Sequence, residues 1–140
     1  MQDPLASRYS LLEQAPSTTV YRRLRTAAGL SPKSEAAAAA GLPNSCFAVQ
    51  VLCAGEPVGM GRVIGDRGCF YQVVDIAVLP AHQGRGLGKR IMGAISAYLQ
   101  DHVPPGAYVS LIADGHAHRL YAQYGFRPTA PASIGMAWVR

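Results

Sequence analysis

Charge is scarce in this chain: of 140 residues, 15% are Asp, Glu, Lys or Arg, while 49% are apolar. A disordered chain needs the opposite balance and is excluded. Trp occurs once and Cys three times, with no C-x-x-C spacing among Cys46, Cys53 and Cys69. A disulfide framework or a zinc site is therefore not expected, no metal is assigned, and each cysteine reads as a small buried hydrophobe in a reducing compartment. No apolar run reaches the roughly 18 to 20 residues that cross a bilayer, so no membrane partner is expected. The opening Met1-Gln2-Asp3-Pro4 lacks the basic-then-apolar pattern of a signal peptide, which sets the expectation of a cytoplasmic chain.

What charge there is leans positive, with 13 Lys and Arg against eight Asp and Glu, a formal +5. Such a field favours an anionic partner without identifying it. Arg22, Arg23 and Arg25 form the densest cluster and read as the solvated face of a helix. A nucleic-acid binder concentrates its basic residues on one surface, so no nucleic-acid partner is assigned. A second group, Arg85, Lys89 and Arg90, lies in a glycine-rich context.

Periodicity places the elements. Residues 8–13 suit a short strand, and Val20, Tyr21, Leu24 and Ala28 recur at helical spacing behind Ser17 or Thr18 as a cap. Ser34-Glu35 followed by Ala36 to Ala40 reads as a short alanine-rich helix that stops at Gly41 and Pro43. Strands are predicted over 46–53 and 58–64, joined as a hairpin through Ala54-Gly55-Glu56-Pro57. Residues 69–79 form a nearly continuous apolar strand, as in the middle of a sheet covered on both faces. A helix over 86–102 carries a stripe of Leu87, Ile91, Ile95, Tyr98 and Leu99, and residues 107–113 form another strand. A short helix over 117–124 precedes a strand-like tail from Phe126 to Val139, broken by Pro128 and Pro131. With no repeat and no linker, residues 1–140 read as one mixed α/β domain.

The chemistry concentrates in one turn, Val78-Leu79-Pro80-Ala81-His82-Gln83-Gly84-Arg85-Gly86-Leu87-Gly88-Lys89-Arg90. A strand stops, a glycine-rich turn follows, and a long helix begins at once. Such a turn offers unpaired N–H groups beside the positive end of a helix dipole, a site suited to a diphosphate. Glycines at 84, 86 and 88 let phosphates approach without a Cβ in the way. A P-loop is excluded because Gln83 stands where its first glycine belongs and Arg90 where its hydroxyl belongs. A dinucleotide fingerprint is excluded because Lys89 replaces its third glycine.

Gln83, Gly86 and Gly88 do satisfy Q-x-x-G-x-G, and this segment resembles the acetyl-CoA-binding motif of the GNAT superfamily of N-acetyltransferases. Asp75-Ile76-Ala77-Val78-Leu79-Pro80 looks like the strand before that motif, and Tyr121 to Gly125-Phe126 like the family's later Y-x-x-x-G-F signature. The resemblance runs over roughly residues 45–127. It implies a central, mostly antiparallel sheet flanked by helices, with two parallel strands, 69–79 and 107–113, splayed to admit acetyl-CoA as co-substrate. It further implies that the backbone of Ile76, Ala77 and Val78 pairs with the pantetheine arm. The N–H groups of Gln83, Gly84, Arg85, Gly86, Leu87, Gly88 and Lys89 would hold the pyrophosphate, and Val78 N–H would polarise the thioester carbonyl.

By the same resemblance Tyr121 is the general acid that protonates the departing thiolate, with Tyr124 as a structural neighbour. Many relatives carry a Glu or His base on the central strand, where this chain has Gln72 and Val74. Asp75 is the nearest carboxylate, but strand alternation points it to the opposite face unless a bulge intervenes, leaving it to hold a water or serve the structure. His116 and His118 offer a proton relay, too few for a metal. Asp114 stands where relatives often carry Asn near the coenzyme, and equally suits a cap for the following helix. Without a base, orientation of an amine against an activated thioester supplies the catalysis. The expected acceptor is a small-molecule primary amine. A protein or peptide amine, and a non-catalytic acyl-CoA sensor of the same fold, are the alternatives. A homodimer through the C-terminal strands is a further option.

Overall fold

The computed structural model describes residues 8–140; the signal-peptide reading of residues 1–4 lies outside them. The chain forms β1 (Tyr9–Leu12), α1 (Thr18–Ala27), α2 (Glu35–Gly41), β2 (Phe47–Cys53), β3 (Glu56–Gly65), β4 (Phe70–Val78), α3 (Leu87–His102), β5 (Tyr108–Leu111) and α4 (His118–Ala122). The five strands make one sheet in the order β1-β2-β3-β4-β5, antiparallel except for the parallel β4–β5 pair. No helix among the described residues is long and apolar enough to cross a membrane.

Capping decides where the first two helices start. Ser17 accepts from Val20 N–H at 3.2 Å and Ser34 from Ala37 N–H at 3.1 Å, each satisfying one of the donors a helix start leaves open. The sheet is covered on both faces. On one side α3 buries Leu87, Ile91, Met92 and Ile95 against Val49, Val51, Val63, Tyr71 and Val73. On the other, Tyr21 and Leu24 of α1 and Ala38 of α2 meet Met60 and Ala77.

A bulge in β4 sets the rest. Met60 pairs with Ala77 and Arg62 with Val74, so Gly61 alone stands opposite both Asp75 and Ile76. Asp75 takes a left-handed φ of 61°, a conformation Asp tolerates better than most residues. Before the bulge Tyr71 and Val73 face α3; after it Ile76 and Val78 do, and Asp75 joins Ala77 on the α1 side. A Cβ at position 61 would meet Ile91 Cγ2 at 2.6 Å and Ile76 Cδ1 at 2.8 Å, so only glycine lets α3 close over this point.

Three expectations are corrected. The tail from Phe126 forms no strand, and its Ile134, Met136 and Trp138 are 72%, 89% and 80% exposed. Arg25 is not part of a solvated face but is buried, 8% exposed, at the base of α1. Cys69 is exposed rather than buried, and Cys46 and Cys53 are half-buried.

Candidate active site

Parallel pairing between β4 and β5 runs from Phe70–Tyr108 to Val73–Leu111 and stops there. β4 continues to Val78, so its last residues leave β5 beside the bulge and the two strands part. Leu79 N–H turns inward to Val58 of β3 at 2.9 Å. Because N–H groups alternate sides along a strand, that of Val78 faces the open side. Gln83 Nε2 donates to the Val78 carbonyl at 3.0 Å, tying the glycine turn to the end of β4.

The turn then winds through Gly84 and Gly86, both at φ 78°, and Gly86 serves as the N-cap of α3. No side chain caps this helix start and no acidic residue lies in its first turn. Backbone donors and the helix dipole are thus left for an anion, with Arg85, Lys89 and Arg90 nearby in the chain. The residues present fit a diphosphate. Tyr124 Oη donates to the Lys89 carbonyl at 2.9 Å, so Tyr124, just past α4, fastens that segment to the first turn of α3.

Between the parted strands, α1, the 28–33 loop and α4 lies a cleft of about 880 Å³. Tyr121, Asp75, Ile76, Gln83 and Asp114 all line it, so residues from four separate chain segments meet there. Tyr121 is 8% exposed. Burial, and secondarily the charge of Asp114, raises its phenol above the ordinary 10.0 and keeps its proton in place. The Asp114 side chain does not cap α4: the N-cap is Ala117, with no side-chain bond. Gln72 and Val74 line the cleft too and offer no ionisable group. His116 and His118 do not line it, and His118 Nδ1 lies 3.2 Å from the Gly115 carbonyl oxygen.

Asp75 reaches the cleft face through the bulge, but its carboxylate is fully engaged. Oδ1 accepts from Tyr21 Oη at 2.9 Å and from Arg25 Nη1 at 2.6 Å, and Oδ2 accepts from Arg62 Nε at 2.8 Å. Its side chain is 4% exposed. The sequence pointed to Asp75 as a candidate; its three partners, at 21, 25 and 62, carry no local motif. Arg25 also donates to Ser31 through Nε and Nη2, at 2.8 and 3.0 Å, which pins the loop after α1. Tyr21 in turn has its phenol raised by burial and by the adjacent Asp75 charge.

Two parallel strands that part at a bulge, above an uncapped glycine-rich helix start, define the architecture of an acetyl-group transferase. Residues 43–128 match the acetyltransferase (GNAT) domain, and the chain belongs to that family. A probable acetyltransferase of unknown function from meticillin-resistant Staphylococcus aureus is 44% identical with a TM-score of 0.90, covering 94% of this chain and 99% of that one. Serotonin N-acetyltransferase 2 of Oryza sativa subsp. japonica, a chloroplastic protein, is 36% identical over 88 residues, 62% of this chain and 42% of its own length. GCN5-related N-acetyltransferase 2 of Arabidopsis thaliana, also chloroplastic, is 32% identical over 82 residues, 58% of this chain and 31% of its own. The chain thus spans well under two thirds of the length of these two curated relatives.

Proposed function

We propose that this chain transfers the acetyl group of acetyl-CoA to the primary amine of a small molecule by direct attack, with both substrates held in one complex. The observation that carries this reading is the end of β4–β5 pairing at Val73–Leu111, beside the bulge, with Tyr121 in the resulting cleft. The serotonin acetyltransferase among the relatives, named for a small amine, supports a small acceptor.

In this reading the backbone of Ile76, Ala77 and Val78 aligns the pantetheine arm, and Val78 N–H polarises the thioester carbonyl. The N–H groups from Gly84 to Lys89 hold the pyrophosphate, whereas that of Gln83, expected to join them, donates to the Pro80 carbonyl at 3.3 Å. Tyr121, kept protonated by burial, donates to the leaving sulfur. Asp75 acts as a positioning residue: with both oxygens taken up, it locks α1 to β4 and does not receive the amine proton. The amine then reacts from its neutral fraction, oriented by the cleft walls.

Calorimetric titration with acetyl-CoA tests the reading. Binding at micromolar levels is expected, and none up to about 1 mM overturns it. The engaged state of Asp75 favours a second reading, a non-catalytic acyl-CoA sensor. Consumption of thioester with a panel of amines separates the two, because a sensor binds without turnover. The homodimer, if formed, would use the exposed apolar tail, and sedimentation with and without residues 132–140 tests that.

A further inference from the structure

The floor of the cleft carries more positive charge than it neutralises. Arg25 and Arg62 share the single carboxylate of Asp75, and the three side chains are 10%, 9% and 4% exposed. Asp75 offsets one of these two charges, so among the described residues the cluster keeps one net positive charge; Arg62 also lies over the Tyr21 ring, its Cζ 5.4 Å from the centroid. Arg25 spends its guanidinium on Asp75 and Ser31. Arg62 does not: Nε goes to Asp75 and Nη1 to Ser45 Oγ at 2.7 Å, leaving Nη2 with no hydrogen-bond acceptor among the described residues.

Around Arg62 the structure provides space. A side chamber of about 150 Å³ opens between α1, α2 and β3, lined by Tyr21, Lys33, Ala37, Leu42 and Arg62. Tyr21, Lys33 and Arg62 line the main cleft as well, so the two spaces share a wall. The charged groups facing this chamber are thus the two cations Arg62 and Lys33. Asp114, the cleft's other carboxylate, raises the Tyr121 phenol, whereas the charges that shift Tyr21 are those of Asp75, Arg62 and Arg25.

We infer that the side chamber is an anion subsite: the amine acceptor carries an oxyanion, a carboxylate or a phosphate monoester, that docks against Arg62 and Lys33 while its amine faces the parted strands. The inference rests on the acetyltransferase reading and narrows it to amines that bear an anionic group. Arg62 is held by Asp75 and Ser45, so its fork is pre-aimed and little is lost in ordering it on binding. Ala37 and the buried Leu42 supply the apolar part of the chamber wall beside the two cations.

Acetyl transfer by the full chain is measured on matched amines that differ only in the anion. Tryptophan against tryptamine and lysine against cadaverine report a carboxylate; phosphoethanolamine against ethanolamine reports a phosphate. The anionic member of at least one pair is expected to win by about tenfold or more in kcat/KM, chiefly through KM. Which kind of pair shows the gain identifies the oxyanion. Reversing the exposed charge with Lys33→Glu should erase or invert that preference, and calorimetry with acetyl-CoA shows that the variant is folded. Neutral members reacting as well as or better than their anionic partners overturn the inference. A preference untouched in Lys33→Glu also overturns it, as does a panel without any turnover in a protein that binds acetyl-CoA. Failure to bind acetyl-CoA instead strikes the acetyltransferase reading beneath it.

Discussion

Tyr121 and Asp75 show how differently two residues of one cleft can be employed. Tyr121 lies buried with an elevated phenol, so its proton is retained at neutral pH, and in the proposed reaction it goes to the departing thiolate. Replacing it with Phe should lower kcat by about a hundredfold, the usual range for loss of a general acid, with acetyl-CoA affinity nearly unchanged. Equal turnover in Tyr121→Phe would remove it from the mechanism. The phenol acts only while protonated, so activity should fall as pH rises past its raised value, above 10.0. The charge of Asp114 is one of the two causes of that rise, so Asp114→Asn should move the alkaline limb of kcat downward. A limb that stays in place in Asp114→Asn would detach it from Tyr121. Tyr121 was legible because it sits in a compact signature with Gly125 and Phe126. Asp75 was legible as a candidate and not in its employment. Its donors come from positions 54, 50 and 13 residues away, and only the fold joins them.

At the level of elements, the Arg25–Asp75–Arg62 cluster couples α1 to β3 and β4. Asp75→Ala strands two buried guanidinium groups and should destabilise the protein by about 3–5 kcal/mol in urea unfolding. Asp75→Asn keeps the shape and tolerates the left-handed φ of 61°, so its loss of stability should be smaller. The discriminating readout is kinetic. If Asp75 only positions, Asp75→Asn retains most of its kcat and the acidic limb of its pH profile does not move. A loss of two orders of magnitude with an abolished limb would make it a base after all. Most elements could be read from periodicity because their apolar faces are buried against the sheet: the α3 stripe lies where the spacing put it, and the α1 cap falls on Ser17, one of its two candidates, whereas the cap role of Ser34 shows only in the structure. The bulge stood in the sequence only as the condition that would turn Asp75 around, because it leaves no compositional mark; it shows in the register against β3. The tail misled for a related reason. Its apolar alternation suits a strand, but a strand needs a neighbour to bond to, Pro128 and Pro131 lack donors, and residues 126–140 take up no pairing.

For the molecule as a whole, the +5 charge, with three basic residues between 84 and 90, has an interpretation the counts alone could not supply. Arg25 and Arg62 are withdrawn into the cluster with Asp75, and Arg22 donates from Nε to the Lys33 carbonyl at 2.9 Å, while Arg23 stays exposed. Arg85, Lys89 and Arg90 instead stand at an uncapped helix start, with net positive charge behind them. A polyanionic coenzyme approaching that end meets an attractive field that reaches about one Debye length, roughly 10 Å at 0.1 M salt and 3 Å at 1 M. Association with acetyl-CoA should therefore weaken as salt rises. Between about 0.05 and 0.5 M, the Kd is expected to increase several-fold, carried mostly by a slower on-rate in stopped-flow measurements. Charge reversal at Lys89, as Lys89→Glu, should reduce that salt dependence and weaken binding in low salt most. An on-rate insensitive to salt would mean that the backbone N–H groups and the helix dipole capture the diphosphate at contact range alone, with the chain's positive excess serving only the acceptor side of the cleft.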